Sequence, residues 1–362
     1  MKIEIGRREI GDDAPPYFVA DIAANHDGDL KRALRLIELA KEAGADAAKF
    51  QNFQAPKIVS RKGFESLGRQ LSHQSDWNKS VYEVYQDASI PFGWTKELKK
   101  TCDKAGIEYF SSPYDFESVD LITPYVNVYK IGSGDITWLE MLKYIAAKNK
   151  PIIFATGASA MKDVERAMAV LSSFTKDIVL MQCNTNYTVG TGNFKYLNLN
   201  VLKTYKKYFP DVILGLSDHT PGYAAVLGAI ALGARVFEKH FTDDTRRSGP
   251  DHKFSLTPKV WRKMVDYSNQ LYQSLGKDIK KIEANEEETV VLQRRALRFT
   301  RDLPKGYILH YEDLFPLRPC PEDAVAPYDI EGVVGKKLVN GVLSEDHVRW
   351  LDLEGGDANV KS

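Results

Sequence analysis

Eight short runs of β-branched and aromatic residues recur between residues 17 and 240, each separated from the next by a longer connecting stretch. They are "YFVAD" (17–21), "DAAKFQ" (46–51), "IEYFSS" (107–112), "VNVYKI" (126–131), "PIIFAT" (151–156), "IVLMQC" (178–183), "VILGLS" (212–217) and "RVFEKH" (235–240). Strands this continuously apolar are buried on both faces, which is the mark of parallel pairing with helices packed outside. The connectors agree. In "DLKRALRLIELAKEAG", Leu30, Ala33, Leu34, Ile37 and Ala40 keep a helical period and Gly44 ends it. In "TPKVWRKMVDYSNQLYQSLG", Thr257 reads as a cap, Pro258 opens the first turn, and Val260, Met264, Tyr267 and Leu271 share a face. Eight strand–helix units in succession are most simply an α/β fold of the (β/α)8 TIM-barrel type. The competing open sheet favours a glycine-rich phosphate loop after its first strand, and "DIAANHDGD" does not supply one.

Beyond about residue 275 the texture changes. Residues 1–275 read as the barrel, and the charged stretch "GKDIKKIEANEEET", within 276–290, reads as a solvated helix or linker. Residues 291–353 read as a small β-rich domain of short strands broken by Pro, Gly and Asp. The tail 354–362, "EGGDANVKS", is expected to be disordered. Lys+Arg and Asp+Glu both number 49, so no global field argues for nucleic acid, and an anionic ligand needs a local cluster of positive charge. Cys102, Cys183 and Cys320 form no disulfide or metal-finger pattern and suit a reducing cytoplasm. The start "MKIEIGRREI" lacks signal-peptide character, and no apolar run reaches membrane-spanning length. A soluble, cytoplasmic protein is the expectation.

In a barrel the site is built where the strands end. Those ends carry Asp21, Lys49 with Gln51, Ser112, Lys130 with Ser133, Thr156, Thr185, Ser217 with His219, and Glu238 with His240. Polar strand ends are ordinary, and Ser112 or Thr156 alone needs no functional account. Two lysines are different, because a desolvated ammonium needs an anionic partner, and Lys49 and Lys130 converging would suit one charged ligand. Hydroxyls and amides at "SSP", "GSG" and "ATG" would add neutral donors for a phosphate or carboxylate.

His219 and His240 end adjacent strands, which run about 4.8 Å apart. Singly, each reads as a hydrogen-bonded structural histidine. As a pair, flanked by carboxylates and lysines, they read as ligands of one divalent ion with open positions, Mn²⁺ or similar, whereas a closed structural zinc site uses four protein ligands. In "RRSGPDHKFSL" (246–256), Gly249-Pro250 fixes a turn that would carry Asp251 over the barrel mouth. The insertion 52–93 is far longer than an ordinary βα loop and is expected to cover a substrate.

The segments "VADIAANHDGDL…AGADAAKFQ", "YFSSPYD", "YKIGSGDI", "FATGAS", "GLSDHT", "EKHFTDD" and "GPDHKFSL", followed by "RRAL…KGYILHYEDL…LRP", resemble the N-acetylneuraminate (sialic acid) synthases and their pseudaminic and legionaminic acid relatives. The resemblance runs in order from about residue 17 to 352 and includes a C-terminal antifreeze-like (SAF) domain. It implies condensation of phosphoenolpyruvate with an N-acetylated hexosamine to a nine-carbon 3-deoxy-2-ulosonic acid and phosphate, with Mn²⁺ or another divalent cation such as Mg²⁺ or Co²⁺. By resemblance, His219 and His240 are metal ligands. Lys49, Ser112, Lys130, Ser133, Thr185 and Ser217 hold phosphoenolpyruvate, and Gln51, Asp135, Tyr187 and Asp251 face the sugar. A domain-swapped homodimer is implied, in which Arg318 reaches the partner's substrate.

The chain departs from the family pattern at Asp21 and Asp135, where Glu is usual, at Ala155 and Cys320, and at Thr188 after Tyr187. These positions are mostly sugar-side or supporting, so the resemblance implies the reaction and leaves the sugar open. Asp21 is expected to orient or deprotonate the metal-bound water. Two rivals remain on sequence: a Schiff-base aldolase using Lys130 or Lys239, and a catalytically dead carbohydrate-binding protein.

Overall fold

The computed structural model describes residues 1–70 and 72–356, so the expected disordered tail lies, from 357 onward, outside the described residues. The chain divides into two compact units, Met1–Gly276 and the stretch from Lys277 on. The charged segment after Gly276 groups with the second unit.

Eight strands, β1 (Tyr17–Asp21), β2 (Ala47–Asn52), β3 (Glu108–Pro113), β4 (Tyr129–Ile131), β5 (Ile152–Ala155), β6 (Ile178–Cys183), β7 (Ile213–Asp218) and β8 (Val236–His240), make one sheet in the order β3-β2-β1-β8-β7-β6-β5-β4. Every ladder in it is parallel. β3 and β4 lie side by side at the ends of that order, completing a (β/α)8 barrel.

Successive side chains on a strand face opposite ways, so each strand feeds two apolar layers. Phe18, Ala20, Phe50, Phe154 and Leu180 pack outward against the helices. Tyr17, Val19, Ala47, Phe110, Ile153, Val179, Ile213 and Val236 fill the barrel. Ile3, Ile5 and Ile10 join this interior layer from an N-terminal hairpin, Lys2–Ile5 paired antiparallel with Arg8–Gly11, which plugs the end where the strands begin. The hairpin is absent from the sequence reading because four-residue strands carry too little alternation to register.

The helix Leu30–Glu42 starts at Asp29, whose carboxylate accepts from the Lys31 amide at 2.8 Å, and it buries Ala33, Leu36, Ile37 and Ala40. The helix Pro258–Leu275 has Thr257 in the cap position, but the hydroxyl makes no capping bond. Its buried face is Trp261, Met264, Val265 and Ser268, and Tyr267 is exposed. Val260, Met264 and Leu271 of the expected face do pack on the core, joined by Trp261, whose ring lies edge-on against Phe241 at 5.5 Å.

The insertion 52–93 folds into short helices, among them Arg61–Ser66 and Val81–Ala88, around a small cluster of Ala55, Val59 and Val81 with Trp77 and Tyr85 packed on it. Ser80 and Glu83 close a capping box at the second of these. The second unit pairs Ala296–Phe299 antiparallel with Leu314–Leu317 over its own core, which includes Leu297, Phe299, Leu309, Val333 and Val348. Among the described residues no helix is long and apolar enough to cross a membrane.

Candidate active site

At the carboxyl ends of the strands the interior layer turns polar while keeping its parity. Asp21 follows Val19 by two, Lys49 follows Ala47, Ser112 follows Phe110 and Lys130 follows Val128, so each inherits an inward direction from a barrel-filling residue. Register then sets the neighbours. His240 stands opposite Asp21, Asp21 opposite Lys49, Gln51 opposite Ser112, and Ser217 opposite both Cys183 and Glu238.

Lys49 Nζ lies 2.7 Å from Asp21 Oδ2 and 3.8 Å from Glu238 Oε2, and Lys130 Nζ lies 3.5 Å from Glu238 Oε1. All four side chains are buried. Glu238 therefore spans the two ammonium groups and also accepts from Ser217 Oγ at 3.1 Å. Sequence reasoning gave Glu238 no role beyond sharing a face with His240, although its i, i+2 spacing from that histidine was the signal. Burial works against the charge on Lys49, but Asp21 and Glu238 outweigh it and raise its pKa. For Lys130 burial wins, assisted by the charge on Lys49 and only partly offset by Glu238, and its pKa is lowered. Lys239, the other lysine considered for a Schiff base, faces out of the barrel, where Asp218 at 2.6 Å and the Thr220 carbonyl at 2.7 Å engage it.

Ser112 Oγ, Glu238 Oε2 and His240 Nδ1 are buried without a hydrogen-bond partner. Such groups cost about 1–3 kcal/mol each, and their grouping at one rim marks a place where a ligand completes the bonding. Beside them the Gly157 amide donates to Ser133 Oγ at 2.8 Å. A Cβ on Gly157 would stand 2.5 Å from Thr185 Cγ2 and 3.0 Å from both Cys183 Sγ and Ser133 Oγ, so only glycine lets these three loops converge. From sequence, Gly157 entered only as part of "ATG" and Cys183 only as one of the three cysteines. Ala23 and Ala158, on the loops after β1 and β5, hold positive φ of 45° and 51°, the strained backbone that concentrates at functional rims. Thr156 departs from the group: its hydroxyl bonds the Met181 carbonyl and Tyr205, each at 2.8 Å, and braces the outer layer.

The His219 and His240 rings lie at the same rim with centroids 5.4 Å apart. His219 Nδ1 sits 3.0 Å from the Asn184 carbonyl, which can only accept, so Nδ1 carries the proton and Nε2 keeps a lone pair for a ligand. Burial lowers the pKa of His219, and burial with the neighbouring His219 and Lys49 lowers that of His240 well below the ordinary value. Both imidazoles are thus held neutral, the form that binds metal. Among the described residues no group of three or more His, Cys, Asp or Glu side chains is arranged to hold an ion. Asp21 Oδ2 is 3.5 Å from His240 Nε2, and Asp251 Oδ2 is 3.9 Å from its Nδ1.

Asp251 is anchored by the Ala24 amide at 3.1 Å, and burial raises its pKa to about 6. Its loop is locked by His252, which bridges Asp27 and Thr242 at 2.8 Å each. Asp135, in the short turn after β4, also has a pKa raised to about 6 by burial, with Lys130 opposing. Tyr187 packs edge-on over His219 at 4.4 Å, and Phe254 over His240 at 4.8 Å. Arg318 belongs to the second unit, where its Nε donates to the Gln293 carbonyl at 2.7 Å.

A barrel whose strand ends gather buried lysines, ion-paired carboxylates, an unpartnered hydroxyl and a neutral histidine pair defines an enzyme site. The NeuB family model matches residues 36–280. The N,N'-diacetyllegionaminic acid synthase of Campylobacter jejuni is 34% identical, over 92% of this chain and 98% of its own. The human N-acetylneuraminate-9-phosphate synthase is 29% identical, over 98% and 97% respectively. The crystal structure of the N-acetylneuraminic acid (sialic acid) synthetase of Leptospira borgpetersenii superposes with a TM-score of 0.71 at 26% identity, covering 80% of this chain and 95% of that one. The chain belongs to the NeuB family of nonulosonic acid synthases.

Proposed function

We propose that the protein condenses phosphoenolpyruvate with an N-acetylated hexosamine to give a nine-carbon 3-deoxy-2-ulosonic acid and phosphate. The observation that carries this reading is the placement of Lys49 and Lys130 beside the unpartnered Ser112 hydroxyl, on the same rim as His219 and His240. Lys49 and Lys130 bind the carboxylate and phosphate, with Ser112, Ser133, Thr185 and Ser217 as neutral donors. Gln51, Asp135, Tyr187 and Asp251 line the acceptor. His219 and His240 hold a divalent cation, Mn²⁺ or a similar ion such as Mg²⁺ or Co²⁺, which when bound supplies Lewis acidity to the acceptor aldehyde. C3 of phosphoenolpyruvate attacks the aldehyde carbon, water adds at C2 with Asp21 orienting it, and the C2–O bond breaks to release phosphate. The second unit acts as an antifreeze-like (SAF) domain that brings Arg318 to the partner's acceptor in a swapped cytoplasmic homodimer.

The test is phosphate release from phosphoenolpyruvate by the purified protein, expected only when both an N-acetylated hexosamine and Mn²⁺ are present. The lowered pKa of Lys130 favours one other reading, a Schiff-base aldolase. Trapping by borohydride and indifference to EDTA would establish that reading and refute ours. Carbohydrate binding without turnover would point to a dead barrel.

A further inference from the structure

We infer that the acceptor is uncharged at the end remote from its aldehyde and carries apolar acyl or methyl substituents there, rather than a phosphate; this rests on the reading of the rim given above. A cavity of about 920 Å³ adjoins the histidine pair and shares Tyr187 and Phe254 with it. A run of ring contacts leads into it: His219 to Tyr187 at 4.4 Å, Tyr187 to His73 at 4.9 Å, and His73 to Trp77 at 5.4 Å. A sugar whose aldehyde lies at His219 and His240 extends its far end along this path, beneath the insertion 52–93.

On the side contributed by the insertion, the cavity presents the aromatic and aliphatic surfaces of His73, Trp77 and Val84 among the polar Ser75, Asn78, Lys79 and Asp87. Such surfaces favour acetamido methyls and deoxy carbons. The charged lining consists of two aspartates, Asp27 and Asp87, against two lysines, Lys79 and Lys253. Lys79 is already ion-paired with Asp87 at 2.6 Å. Asp27 is held by Arg247 at 2.7 Å and His252 at 2.8 Å. A phosphomonoester carries nearly two negative charges near neutral pH and takes a cluster of cations to desolvate. The four charged lining residues balance, so the lining offers no excess of cations to such a group.

The experiment compares kcat/KM, with phosphoenolpyruvate and Mn²⁺ present, for N-acetylmannosamine, its 6-phosphate, and 2,4-diacetamido-2,4,6-trideoxyhexoses of manno and altro configuration. The expected result is that the best uncharged acceptor exceeds the 6-phosphate at least about tenfold. A 6-phosphate that equals or surpasses every uncharged sugar overturns the inference and leaves the synthase reading standing. No phosphate release with any acceptor overturns the synthase reading, and the inference with it. Two variants locate the effect. Asp87→Asn unpairs Lys79 and is expected to shift the ratio of kcat/KM values about fivefold toward the 6-phosphate; an unchanged ratio counts against the cavity as the discriminating element. Trp77→Ala is expected to raise KM for the diacetamido sugar about tenfold while KM for phosphoenolpyruvate holds, whereas a purely structural role would depress kcat with all acceptors alike.

Discussion

Lys130 and Asp135 sit five residues apart and show how one strand end sets two opposite titrations. Lys130 is stripped of water and stands near Glu238 at 3.5 Å, so its charge is poised for an anion. Replacing it with Ala is expected to lower kcat about 10²–10³-fold, while circular dichroism and gel filtration stay those of the parent. Asp135 has its pKa raised to about 6 by burial, against 3.8 ordinarily. Its folded form therefore holds the proton more tightly than the unfolded chain does. The stability this contributes is complete below pH 4 and is lost as pH rises through 6. Asp135→Asn escapes that loss, so its melting temperature should gain on the parent's between pH 4 and 8, by the equivalent of at most about 3 kcal/mol. A gap that narrows with pH would contradict the assignment.

At the scale of elements, the N-terminal hairpin and the charged rim occupy opposite ends of one barrel. Ile5 is buried among barrel-filling side chains. Ile5→Ala is expected to cost about 2–5 kcal/mol in denaturant unfolding and to leave KM for either substrate unchanged, since the plug touches only the far end. How legible each element was follows from its length and its neighbours. The eight strands declared themselves because burial on two sides leaves no polar position to interrupt the run. The hairpin stayed silent, and the insertion 52–93 was visible only as excess length, because its helices are a turn or two long and pack on one another around Ala55, Val59 and Val81. Inward parity placed Asp21, Lys49, Lys130, His219 and His240 at one end. It did not disclose that Glu238 spans both lysines, or that Gly157 is the gap between three loops, because both depend on closing the ring. The same closure turned Thr156 outward and took Lys239 from the list of nucleophiles.

For the molecule as a whole, two linked equilibria are expected. Mn²⁺ should raise the barrel's melting temperature, by up to the equivalent of about 2.7 kcal/mol at a hundredfold excess over its dissociation constant, and His240→Ala should abolish that rise along with activity. Dialysis against EDTA should remove activity and added Mn²⁺ restore it. If Arg318 serves a neighbouring subunit, mixing inactive Lys130→Ala and Arg318→Ala proteins should recover part of the lost turnover, because a mixed dimer carries one intact site. Recovery that fails after verified subunit exchange would leave Arg318 to its own chain.

Formal charge at the rim also has an energetic sequel. Asp21 and Glu238 count two negatives and Lys49 and Lys130 two positives, so this quartet is charge-balanced before any guest arrives. A polyvalent anion that enters alone upsets that balance in a medium of low polarisability. Its uptake must then favour, and be favoured by, simultaneous uptake of a cation, and the two affinities should climb together by one common factor.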